Sequence, residues 1–227
     1  MNGLMLFSTV SEVSILIPAL IILFKRKYLS AELRILAVYV ILTLIRNTFG
    51  VTSDLLYYSG LKNFNTLFFY NWQSVLGFYL IVWFYYRLLH YKYWRLFIIS
   101  ASFIFTICAI LEIPSGSLTK LNTGSFNQYT YTASSLIILV IVLAYFYELL
   151  QDLKVENITK FSYFWVSVGL LFYFGGSLFV NLFLVKAAIS TTQITWGINS
   201  ALSFVFHFTV SLAFYYSNFL YNSHKDE

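Results

Sequence analysis

Seven apolar runs, each about as long as a helix must be to cross a bilayer, take up most of this 227-residue chain. A hydrocarbon core about 30 Å thick needs roughly 20 residues of helix. The runs lie near Leu4–Phe24, Leu33–Thr52, Thr66–Leu89, Arg95–Ile113, Gln128–Leu149, Phe161–Val185 and Thr195–Leu220. A membrane β-barrel would show segments of about ten residues with alternating polarity. Continuous runs twice that length read as helices, which also satisfy every backbone group internally, as lipid requires. The expected fold is an all-α membrane protein, a single seven-transmembrane-helix bundle over residues 1–227.

Charge supports this reading and orients it. Charged residues are 10% of the chain, where a soluble domain carries about 25%, so a water-exposed globule is excluded. The net charge of +5 would suggest nucleic acid only as a patch on a soluble surface. Here the basic residues stand in short clusters between apolar runs, so the expected partner is the lipid bilayer, with no nucleic acid. Lys25, Arg26, Lys27 and Arg34 flank the first connection, and Arg87, Lys92 and Arg95 the third. Lys154 and Lys160 lie in the fifth and Lys225 in the tail, against Lys62, Lys120 and Lys186 on the other side. The bias of Lys and Arg toward cytoplasmic loops puts the N-terminus outside and the C-terminus in the cytoplasm, in a multi-pass protein of the inner membrane. The opening MNGLMLFSTV has no positive side chain, so the first run is expected to be a retained span, not a signal peptide. Cys108, the single cysteine, stands in the apolar run FIFTICAIL and reads as a packing residue.

Few polar groups remain inside the spans, and each is a candidate for function because a charge at bilayer depth is costly. Glu12 lies 13 residues before Lys25 and Arg46 lies 12 residues beyond Arg34, which sets them about 20 Å and about 18 Å from the same border. Matching depths on consecutive spans predict an ion pair, either a lock between two helices or a charged wall of a ligand site. His207 falls 11 residues past Trp196, about 16 Å below the outer interface. It reads either as a hydrogen-bonded core histidine or as a titratable group of a site. Asn47, Gln73, Asn181 and Asn199 also fall in the outer halves of their helices, with Trp72 and Trp196 near the border. The concentration of Glu12, Arg46, Asn47, Gln73, Asn199 and His207 in the outer half predicts an outer-facing pocket. Gly169 and Gly176 are seven apart, on one helix face suited to close packing, and the adjacent Gly175–Gly176 pair is the candidate hinge.

Catalytic signatures are missing. The sequence holds no HExxH helix, no GxxxxGK phosphate loop and no GxSxG elbow. It has no cluster of aspartates for magnesium and no lysine in the last span for a retinal Schiff base. No catalytic residue, metal site or cofactor is expected, and the chain reads as non-enzymatic.

Four stretches carry a family resemblance: Glu12 and Pro18 followed by FKRKYLSAELRIL, then FNTLFFYNWQSVLGFYL, FWVSVGLLFYFGGSLFV and TWGINSALSFVFHFTVSLAFYY. Together they resemble a group of uncharacterised seven-span membrane proteins and domains of Bacteroidetes-type bacteria, found alone or joined to a sensor histidine kinase. The resemblance runs over nearly the whole chain on diffuse, apolar motifs. Members of that group often carry a His and a Glu in the third span, where this chain has Trp72 and Gln73. The resemblance implies a sensory role. The expected function is therefore a receptor or sensor module that binds a small or lipophilic ligand. Helix movement around Gly175–Gly176 would pass to a separate membrane or cytoplasmic signalling partner such as a histidine kinase, since the tail Tyr221–Glu227 is short. The alternative is a small-molecule or ion transporter with Glu12, Arg46 and His207 along its path, and a third reading is a scaffold whose polar residues only lock helices.

Overall fold

A computed structural model of the chain describes residues 3–59, 66–112, 128–151, 158–180 and 192–217. These form eight α-helices: α1 (Gly3–Val13), α2 (Leu16–Lys25), α3 (Ala31–Tyr58), α4 (Leu67–Leu88), α5 (Lys92–Glu112), α6 (Gln128–Gln151), α7 (Ser162–Phe179) and α8 (Thr192–Tyr215). There is no strand among the described residues. The loops around Lys62, Lys120, Lys154 and Lys186, the tail with Lys225, and Asn181 lie outside the described residues.

The expected first span is present as two helices, and Pro18 explains the break. Proline has no N–H for the carbonyl four residues back, here that of Ser14, and its ring crowds that carbonyl. The N–H of Ile17 takes the Ser14 carbonyl at 3.1 Å instead. That shorter closure turns the rod at Ser14–Ile15.

Going around the bundle, α3 packs on α4, α4 on α6, α6 on α7, and α7 on α8. Helix α8 then packs on both α1 and α2, which return to α3 and close a ring. Helix α5 stands outside, against α6 and α4. One end of the ring is tied by polar contacts. Arg87 Nε donates to Glu32 at 3.0 Å, and the Ser30 and Tyr163 hydroxyls pair at 2.9 Å. The Glu148 carboxylate accepts the backbone N–H groups of His90 and Tyr91 at 2.9 and 3.2 Å, holding the tight α4–α5 connection. Lys25 donates to the Tyr215 carbonyl. Contacts from these helix ends show that successive rods alternate in direction, so Lys25, Arg26, Lys27, Arg34, Arg87, Lys92, Arg95 and Lys160 collect at one end.

The outside of the ring is apolar. Phe24 is 84% exposed, and Leu96, Phe103, Leu111, Phe172 and Phe208 are all more exposed than buried. A soluble monomer rarely presents such continuous apolar surface. Among the described residues six stretches are long and apolar enough to cross a membrane, namely Phe7–Tyr28, Ala31–Ser53, Lys92–Glu112, Tyr129–Gln151, Ser162–Phe179 and Gly197–Tyr215. Helix α4 is not among them, because Tyr70, Asn71, Trp72, Gln73, Ser74 and Arg87 dilute its apolar content. The fold is thus an all-helical bundle of membrane type.

Small residues set the tightest contact in the ring, between α7 and α8. A Cβ at Gly169 would collide with Thr209 Oγ1 and stand 3.2 Å from Phe206, and one at Gly176 would stand 2.5 Å from Leu202. At Gly175 the nearest atom would be Leu139 Cδ2 at 3.7 Å, an ordinary contact. Helix α7 runs unbroken through the Gly175–Gly176 pair.

Candidate functional site

Helical spacing places one polar stripe on each of three helices, facing the ring interior. On α3 it is Tyr39, Thr43, Arg46, Asn47 and Gly50; on α4 it is Tyr70, Gln73, Ser74, Gly77, Phe78 and Ile81; on α6 it is Tyr131, Ser134 and Ile138. These offsets of three, four and seven keep residues on one face. With Tyr173 and Phe174 of α7, most of these residues enclose a cavity of about 50 Å³. Gly77 makes room for one wall, since a Cβ there would stand 2.9 Å from the Tyr39 ring.

Among the described residues, Arg46 is the only charged side chain lining this cavity. Its guanidinium carbon sits 4.2 Å from the centre of the Tyr70 ring. A cation over an aromatic face is stabilised by up to about 2 kcal/mol when water is excluded. Among the described residues no acceptor pairs with the buried Arg46 Nε. The direct ion pair expected between Glu12 and Arg46 is not formed, and Tyr70 links the two instead. Its ring carries Arg46, and its hydroxyl donates to Glu12 Oε1 at 3.2 Å. Glu12 still acts on Arg46 through its field. Gly50 leaves space for this carboxylate, with its missing Cβ 3.2 Å from Glu12 Oε2.

Asn47 and His207 work at the break in the first rod. A helix end leaves its last carbonyls without intrahelical donors, and at Val13 other helices supply them. Asn47 Nδ2 donates to the Glu12 carbonyl at 2.9 Å. His207, 3% exposed, meets Ser14 Oγ with its Nδ1 at 2.7 Å. Ser14 Oγ itself donates to the Ser11 carbonyl at 2.6 Å, which leaves Nδ1–H of His207 as donor to that oxygen. Ser11 Oγ donates to the Ser200 carbonyl of α8 at 2.7 Å. A second space of about 170 Å³ lies between the break and α3, lined by Glu12, Val13, Ile15, Leu16, Leu44, Asn47, Thr48, Val51 and Thr52.

The six sequence candidates are therefore divided between two places. Arg46 and Gln73 line the cavity; Glu12 and Asn47 line the cleft beside the break, where His207 is bonded. Asn199 joins the cavity wall at one remove. Ser177 Oγ reaches its Oδ1 at 3.4 Å, and Tyr131 hydrogen-bonds both Ser177 and Tyr173. Gln73 Nε2 donates to Thr43 Oγ1 at 2.8 Å. Tyr39, Tyr70, Tyr131 and Tyr173 escaped the sequence reading. Tyr70 did carry a signal, standing three and four residues before Gln73 and Ser74, and Ser14 another, standing four before Pro18. Among the described residues no three His, Cys, Asp or Glu side chains gather to hold a metal.

No family model, curated protein or solved structure matches the chain. Its class is the one its fold defines: among the described residues it is all-helical, with six stretches long and apolar enough to cross a membrane and an arginine-lined cavity inside the ring.

Proposed function

We propose that this chain is a seven-span inner-membrane receptor or sensor module. It binds a small ligand in the Arg46 cavity and hands the resulting helix movement to a separate signalling partner, of which a histidine kinase is the expected kind. The observation that carries this reading is the division of the ring interior. Polar groups surround the cavity in one half. In the other half Phe84, Tyr85, Ile141, Val142, Val166, Leu170 and Phe214 are all fully buried, and the one hydroxyl among them, that of Tyr85, is bonded to Ser167 at 2.8 Å. A ligand entering from the cavity side meets a packed floor, which suits binding without passage.

Helix α4 serves as the seventh span. Its 22 residues extend about 33 Å, and Phe78, Phe84 and Tyr85 on it are at the centre of the core. The basic end is cytoplasmic by the distribution of Lys and Arg, so the cavity opens toward the outer side. A ligand shifts such a bundle only by its difference in affinity between two arrangements. Arg46 supplies that difference, because its partner is a ring face it can leave.

The transporter reading has one observation in its favour, the broken first rod, since discontinuous helices build many substrate sites in transporters. Two measurements separate the readings. A cysteine placed at Lys160, in a Cys108→Ser background, is expected to change its labelling rate when nitrate or the neutral acetamide, whichever binds, saturates the cavity. Nitrate-loaded proteoliposomes are expected to lose nitrate no faster than nitrate-loaded liposomes without the protein. Leakage that disappears in Arg46→Gln would replace the receptor with a transporter, and an unchanged Lys160 signal would remove the sensing role.

A further inference from the structure

We propose that the ligand of the Arg46 cavity is a small monovalent oxyanion of nitrate or acetate size. The inference rests on reading the cavity as the ligand site and adds the chemistry of its occupant. Two donors in its wall carry the argument. Arg46 Nε and Ser74 Oγ are both buried, and among the described residues neither has a hydrogen-bond partner. Both line the same cavity. A guanidinium is a donor without acceptor capacity, so the wall calls for a group that accepts.

The remaining polar wall is already engaged. Gln73 gives its amide to Thr43, Ser134 Oγ donates to the Tyr131 carbonyl at 2.8 Å, and Tyr131 is bonded to Ser177 and Tyr173. Among the described residues no carboxylate lines the cavity. Glu12 is held on the far side of the Tyr70 hydroxyl, so it balances part of the arginine charge without occupying the donor edge. Stacking on Tyr70 uses the face of the guanidinium, and the unpartnered Nε belongs to its edge, the part that binds oxyanions in a two-point fork.

Volume sets the size. About 10–15 Å³ is enough for one water, and the cavity measures about 50 Å³. It therefore holds about three to five water-sized groups, enough for nitrate, formate or acetate. An acyl chain or a sugar would extend well beyond that space, which argues for a free solute over a lipid.

The test is calorimetric titration of the whole chain in nanodiscs of zwitterionic phosphatidylcholine, with gluconate, too large for the cavity, as the only other anion. Nitrate and acetate are expected to bind, while acetamide and ethylammonium at equal concentration are not. Arg46→Gln is expected to weaken nitrate binding at least tenfold. Because that variant can fail to fold, Ser134→Leu, which fills the cavity from α6 and keeps the arginine, is titrated beside it and is expected to abolish binding. Equal binding of acetamide would overturn the anion and leave a receptor for a neutral ligand. Nitrate binding unchanged by Ser134→Leu would remove the ion from this cavity. No binding of any probe would mean a cavity filled by water only, and competition by added anionic lipid would assign the cavity to a headgroup. Arg46-dependent nitrate leakage would keep the anion and remove the receptor, so the two proposals fail separately.

Discussion

A guanidinium within an apolar bundle is costly to desolvate unless other groups take over from water. Arg46 is stabilised by the Tyr70 face at 4.2 Å and by the field of Glu12, which Tyr70 holds by its hydroxyl. A direct ion pair would have engaged the donor edge, whereas here Arg46 lines the cavity and its Nε has no partner among the described residues. Glu12 also opposes any anion that approaches Arg46. Glu12→Gln is therefore expected to tighten nitrate binding severalfold, because it removes the repulsion between two like charges. Weaker binding in Glu12→Gln would show that the carboxylate supports the ligand and that the occupant is not anionic. Both charges were legible in the sequence, because a charge deep in an apolar run is rare. Tyr70 was marked only by its spacing from Gln73 and Ser74, since aromatic residues make up 21% of the chain and one tyrosine among so many does not name its partner.

Among the elements, the first rod shows how a single proline spreads its consequences. Pro18 frees the Ser14 carbonyl and ends α1 early, and the exposed backbone is bonded from α3 by Asn47 and packed against His207 of α8. A double-mutant cycle of Ser14→Ala and His207→Phe, read as unfolding free energy in detergent, is expected to give a coupling of about 0.6–1.7 kcal/mol, the range for polar pairs between membrane helices. A coupling of zero would leave the break unsupported by α8. The α7–α8 seam offers a ranked series. Gly169→Ala is expected to destabilise most, by about 1–3 kcal/mol as overpacking does, because Thr209 stands in the way along with Phe206. Gly176→Ala should cost less, since the end of Leu202 can turn aside, and Gly175→Ala should lie within about 0.5 kcal/mol of the parent, as substitutions without a steric conflict do. A large cost at Gly175 would revive the hinge as the reason for the glycine pair. Its spacing marked α7 as a packing helix, but no spacing says which neighbour approaches.

At the scale of the whole molecule, the ring separates its two jobs by depth. Apolar side chains face outward over its length, the basic end is laced by Glu32, Arg87, Tyr163 and Glu148, and the cavity lies in the half away from that end. Helix α4 decides the topology, being the rod whose composition alone does not qualify it as a span. Single cysteines at Thr66 and Tyr91, in the Cys108→Ser background, are expected to react with an impermeant reagent from opposite sides of the membrane, Thr66 from outside. Labelling of both from one side would leave six spans and reverse part of the orientation. The sequence by itself determined the helical class, the approximate ends of the rods and the depth of the buried charges, because lipid forces backbone pairing into each segment and makes every charge stand out. Only the tertiary structure decided that Tyr70 separates Glu12 from Arg46, that Asn47 and His207 attend the broken rod, and that four tyrosines wall the cavity. Those outcomes depend on which helix faces lie against each other around the ring, and apolar faces of similar composition do not name their neighbours.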